Sequence, residues 1–85
     1  MVPPREPPTD VADALRAAIA AHVQDAAIQV VTNGGGHYSL VVTSPAFRGL
    51  SMLESHRMVY AAIAPLLAGA TAPVHAIDSL RTIGR

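Results

Sequence analysis

Ser51 and Glu54 stand three residues apart immediately ahead of an apolar run. In that arrangement the serine hydroxyl accepts from the amide three residues on, and the glutamate reaches back to the serine's own amide, which specifies a helix start. From there Met52, His56, Val59, Ile63 and Leu66 recur at steps of four and three, along one face of a helix. Glu54, Ser55 and Arg57 fall on the other face. The helix is expected from about Met52 to Ala68. A kink or break is expected near Ala64, because Pro65 removes one backbone hydrogen bond and clashes one turn back, at a cost of about 3 kcal/mol in a helix interior. Such an apolar stripe demands a sheet or a second helix to cover it.

The remainder of the chain supplies both. Thr9 or Asp10 caps an earlier helix over about Asp10 to Gln24, with Val11, Leu15, Ile19 and Val23 every fourth residue and Asp13 adding negative charge to its first turn. His22, near its end, reads as an exposed residue. Ala27 to Thr32 is a short β-branched strand, and Asn33-Gly34-Gly35-Gly36 is a hairpin loop of about four residues, since Asn and Gly accept positive φ cheaply. His37 to Thr43 forms the second strand, with Tyr38, Leu40 and Val42 on one face and His37, Ser39, Val41 and Thr43 on the other. Ser44-Pro45 ends it. Phe47 plugs the gap between sheet and second helix, and Gly49 allows the tight approach to the cap at Ser51. Gly69 to Pro73 connects to a last strand, Val74 to Thr82, whose alternation is imperfect after Ile77.

The order helix, strand, strand, helix, strand predicts an α+β (α/β) fold. A helix between two strands makes a crossover, so the third strand runs parallel to the second in a three-stranded mixed sheet. Both helices cover one face and leave the other open as a candidate partner surface. Residues 1–9, with four prolines, read as a disordered tail, and residues 10–85 as one domain. A chain of 85 residues buries only about 60% of the surface its unfolded form exposes, so its stability is thin.

Composition narrows the function classes. Six basic residues offset six acidic ones, so no long-range field draws the chain to phosphates. There is no cysteine, hence no disulfide and no thiolate for a metal. No run of about 20 apolar residues and no secretory leader is present, which makes a cytoplasmic protein without a membrane anchor the expectation. No nucleophile–base–orienter set appears, and Ser39, Ser44 and Ser51 lack a G-x-S-x-G context. The triple glycine before His37 lacks the Gly-Lys-Ser/Thr ending of a phosphate loop. An enzyme is not expected.

Three groups of residues together resemble the BolA family: His37-Tyr38 with Val41-Val42; Ser44-x-x-Phe47-x-Gly49; and His56-Arg57-Met58-Val59-Tyr60 followed by Val74-His75-Ala76-Ile77. The resemblance runs from about Val11 to Thr82 and implies a class II KH-like fold. The chain departs from the family pattern at Ser55, often arginine there, at Pro65, in its short hairpin loop, and in lacking the usual C-terminal helical turn. The resemblance implies a non-catalytic partner of a monothiol glutaredoxin that shares a bridging 2Fe–2S cluster or binds without one. By the same resemblance His75 is the ligand histidine and His37 the loop-side candidate for a second contact. His56, Arg57 and Arg48 are separate candidates for partner binding, the two arginines for a docking or phosphate role. From the residues alone, His56 reads as a half-buried member of the apolar stripe, and the two arginines as a solvated patch. A neutral imidazole is a competent iron ligand, and its protonation competes with metal binding, so such a cluster is expected to be acid-labile. With no cysteine, thiolates from the glutaredoxin and glutathione complete the site.

Two alternatives belong to other classes. Some family members are described as transcriptional regulators, which makes a KH-like DNA-binding module the second reading. A KH domain clamps its ligand with a GXXG loop between helices, and nothing between these helices matches. The third is a metal-free homodimer through the open sheet face.

Overall fold

The computed structural model describes residues 11–68 and 72–85. The tail, the cap at Thr9 or Asp10 and most of the Gly69–Pro73 connector lie outside the described residues. The element order is α1 (Val11–His22), β1 (Ala27–Gly34), β2 (His37–Thr43), a 3-10 turn (Pro45–Phe47), α2 (Met52–Leu67) and β3 (Ala76–Ile83). The sheet order is β1-β2-β3, with β1 antiparallel and β3 parallel to β2. This is the expected α+β topology, with α2 as the crossover.

Tyr38, Leu40 and Val42 are buried on one face of β2, and both helices close over them. Leu15 and Ile19 of α1, Val23 just beyond it, Val59, Ala62 and Ile63 of α2, and Val74 ahead of β3 pack into the same core. Phe47 is buried at the far end, as expected of a plug. Ser44 is buried too, and its hydroxyl donates to the Gln24 carbonyl while accepting from the Ala46 amide, so the end of β2 is tied to the α1–β1 connection. Gly49 has φ +78, which lets the chain turn into the cap of α2. The capping box forms in both directions: Glu54 N donates to Ser51 Oγ at 3.1 Å and Ser51 N to Glu54 Oε1 at 2.9 Å.

Several expectations are corrected. Met52 is 72% exposed, whereas Ser55 is only 3% exposed. The buried stripe of α2 therefore starts at Ser55 and not at Met52. Ser55 is tolerated inside because its hydroxyl donates to the Met52 carbonyl at 2.9 Å and meets Thr82 Oγ1 of β3. With the serine proton committed to Met52, Thr82 is the donor of the second bond. No break occurs at Ala64, and α2 continues through Pro65 to Leu67. Pro65 lies in the last turn, and Ala61, whose carbonyl loses its amide partner, is exposed and open to water.

The hairpin turn is two residues, Gly35 and Gly36, because β1 extends to Gly34. Both turn residues have positive φ, +63 and +82, the requirement of a tight hairpin whose twist matches its strands. Strand β3 begins at Ala76, leaving Val74 and His75 ahead of it. Its irregular alternation has a cause: Ile77 pairs with Tyr38 and Ser79 with Ser39, so Asp78 is an extra, bulged residue. A matching shift on β1 pairs Thr32 with Tyr38 and Gly34 with His37, which leaves Asn33 bulged.

Candidate functional site

Both candidate ligand histidines lie at one end of the sheet, where β2 and β3 begin side by side. His37 is the first residue of β2 and pairs with Ala76, the first residue of β3. His75 immediately precedes Ala76. The backbone amides of His75 and Ala76 both donate to the Gly36 carbonyl, at 2.8 and 3.2 Å. Val74 is buried, and its amide donates to Leu66 O at 3.2 Å, so the segment is anchored one residue before the exposed His75. The imidazole of His75 packs over Gly36, where an added Cβ would stand 2.5 Å from its Cδ2. Gly36 thus combines a positive φ with room for that ring. No side chain among the described residues hydrogen-bonds the His75 ring.

His37 is held differently. Its Nδ1 lies 2.9 Å from Asp78 Oδ1, and Asn33 Nδ2 donates to Asp78 Oδ2 at 3.0 Å and to Ser39 Oγ at 3.0 Å. The two bulges create this set, because each turns one extra side chain toward the start of β2 from a flanking strand. The hydrogen bond from His37, helped by that from Asn33, holds the Asp78 carboxyl below its ordinary pKa. Asp78 is therefore an ionised acceptor at neutral pH. The side chains of His37 and Asp78 are 48% and 42% exposed, so the pair orients groups more than it stabilises the fold.

The other predicted residues lie elsewhere. His56 is half-buried and lines a cleft of about 390 Å³ with Phe47, Leu50, Met52, Ser55 and Arg81, between the start of α2 and the later half of β3. Arg48 and Arg57 are exposed, and neither lines that cleft. Arg48 follows the end of β2, and its backbone packs against Gly84 beyond the end of β3. It stands one strand length from the histidines, about 20 Å for the 7 residues of β2. The five predicted residues are thus brought together only as the pair His37 and His75. Asn33 and Asp78 were not expected to contribute. Asn33 has the composition of an ordinary turn residue, and the only signal for Asp78 was the broken alternation after Ile77.

The chemistry open to this end of the molecule is that of imidazole. Among the described residues, no three His, Cys, Asp or Glu side chains converge as a metal-binding group. No helix among them is long and apolar enough to cross a membrane.

A model of the BolA family, described as BolA-like protein, matches residues 13–83. BolA-like protein 1 of Pongo abelii is 49% identical over 41 residues, covering 48% of this chain and 28% of that protein. The match thus spans less than a third of that relative's length. The BolA domain of SufE1 from Arabidopsis thaliana superposes with a TM-score of 0.68 at 21% identity, over 86% of this chain and 92% of that one, a likeness of fold. BolA1 protein from Mus musculus gives a TM-score of 0.64 at 27% identity, over 96% and 76% of the two chains.

Proposed function

This chain belongs to the BolA-like family, and from that premise we propose that it is a non-catalytic adaptor of a monothiol glutaredoxin. It shares a bridging 2Fe–2S cluster with that partner, in iron–sulfur trafficking or in iron and redox sensing. The observation that carries this is the meeting of His75 and His37 at one end of the sheet, joined through the Gly36 carbonyl and the His37–Ala76 pairing.

The donor set suits a shared cluster. Two imidazoles are present at this end, and the whole chain lacks cysteine. The His75 ring makes no hydrogen bond to the described residues, and His37 has its Nδ1 engaged with Asp78, leaving Nε2. A 2Fe–2S cluster takes four ligands from the protein side, so glutaredoxin and glutathione thiolates supply the rest. Histidine in place of thiolate raises the cluster potential, which suits a transfer or sensing role.

Anaerobic titration of this chain into a cluster-loaded monothiol glutaredoxin with glutathione, followed by visible circular dichroism, tests the proposal. A saturable spectral change that H75A loses supports it. An unchanged spectrum with the wild-type chain and a competent glutaredoxin removes the cluster from the account.

A DNA-binding regulator is the second reading, and one observation favours it. Arg48, Arg57 and Arg81 are exposed, and none forms an ion pair with a described carboxylate. If they grip phosphates, the affinity for duplex DNA falls with salt at a slope of about −0.9 per phosphate neutralised.

A further inference from the structure

We infer that Asp78, clamped by Asn33, is a positioning residue that holds His37 with Nδ1 protonated and Nε2 turned outward as the ligand atom. The inference rests on the cluster-sharing reading above and adds a role for two residues that it does not use.

The geometry runs through the two bulges. Without the extra residue on β3, the alternation would carry Asp78 out of register with His37; with it, Asp78 Oδ1 sits 2.9 Å from Nδ1. Without the extra residue on β1, Asn33 would pair in the ladder; bulged, it reaches both Asp78 Oδ2 and Ser39 Oγ at 3.0 Å. Bulges interrupt a ladder and recur where a strand must re-aim a side chain at a functional site. Here two of them converge on the first three residues of one strand.

A carboxylate only accepts, so the ring nitrogen facing it is the one that carries hydrogen. The other nitrogen keeps its lone pair. Ligating histidines are typically oriented in this way by a carboxylate on the non-ligating nitrogen, which fixes the tautomer and raises ligand basicity. The side-chain amide of Asn33 fixes the carboxylate in turn, since its Nδ2 binds the oxygen that His37 does not use. Each group in the chain Ser39–Asn33–Asp78–His37 therefore has a set orientation before any partner arrives.

The test uses the full chain with nitrogen-15 in its histidine rings. With its ring in the neutral form, wild-type His37 is expected to show Nδ1 protonated and Nε2 bare. D78A is expected to collapse that separation towards averaged nitrogens, and N33A to do so in part, while the His75 ring is unchanged in both. In the glutaredoxin titration, D78A is expected to need about 10-fold more chain for half-saturation, the lower end of the loss typical when a ligand's supporting carboxylate is removed. A wild-type His37 protonated at Nε2, or a D78A ring with the wild-type pattern, overturns the inference. If the wild-type chain gives the cluster spectrum and D78A titrates identically, positioning fails and the shared cluster stands. If the wild-type chain gives no spectral change, the shared cluster fails, and the ligand role of His37 fails with it.

Discussion

Replacing Gly36 by alanine separates two demands that meet at this residue. Its φ of +82 lies in the left-handed region, where an L side chain costs about 1–2 kcal/mol. A Cβ there would also stand 2.5 Å from His75 Cδ2, 3.1 Å from Cγ and 3.2 Å from Cβ. Ordinary contact between carbon atoms begins at about 3.5 Å, so the imidazole must retreat by about 1 Å. Gly35 is the control. It has a similar φ of +63, but the nearest atom to its added Cβ is His37 Cδ2 at 3.9 Å. G35A therefore pays the backbone cost alone. Urea denaturation followed by far-ultraviolet circular dichroism should find both variants destabilised by about 1–2 kcal/mol, or roughly 4–8 °C in Tm for each kcal/mol in a domain of this size. Only G36A should move the His75 ring resonances and weaken the glutaredoxin titration. If G36A leaves those resonances in place, or G35A moves them as much, the packing of His75 on Gly36 is not what sets its position.

Two further predictions concern polar groups that the fold places deliberately. S55A removes the acceptor of Thr82 Oγ1, and should cost about 1–2 kcal/mol in urea denaturation. Adding T82V should recover part of that loss, because both partners are then apolar; a double-mutant cycle showing strict additivity would refute the pairing. For Asp78, the folded-state pKa is depressed, so its contribution to stability is present above its unfolded value of about 3.9 and is lost as the pH falls through the lower, folded value. The gap between the urea midpoints of wild type and D78A should therefore narrow below about pH 4, and a gap that widens on acidification would contradict the His37 and Asn33 bonds.

The parts of this molecule legible in the sequence are those fixed by local rules. The capping box, the two-residue periodicity of β2 and the stop at Ser44-Pro45 depend on near neighbours, and each forms as expected. The parallel third strand followed from the order of elements. What escaped depends on how elements meet. Ser55 looked like a surface residue because nothing local reveals that Thr82, 27 residues away, will donate to it. Met52 looked apolar enough for the core, but it sits at the first position of α2, on the rim of the cleft between that helix and β3, and is left exposed. Pro65 looked like a breaker because its distance from the helix end is decided by the fold and not by the proline. The two bulges are a property of register between strands, so Asn33 and Asp78 carried no sequence signal beyond a turn composition and a lapse in alternation. The histidines were singled out through resemblance to a family; by residue type alone His75 is an ordinary exposed side chain.

The central claim, that imidazole from this chain ligates a cluster held jointly with a glutaredoxin, is tested most directly by pulsed electron paramagnetic resonance of the reduced complex. The chain would carry nitrogen-15 in its histidines, and the glutaredoxin and glutathione would be unlabelled. Strong nitrogen-15 couplings to the cluster that weaken in H75A and vanish when His37 and His75 are both replaced by alanine are the predicted result. A cluster signal with no nitrogen-15 coupling from this chain would contradict the account.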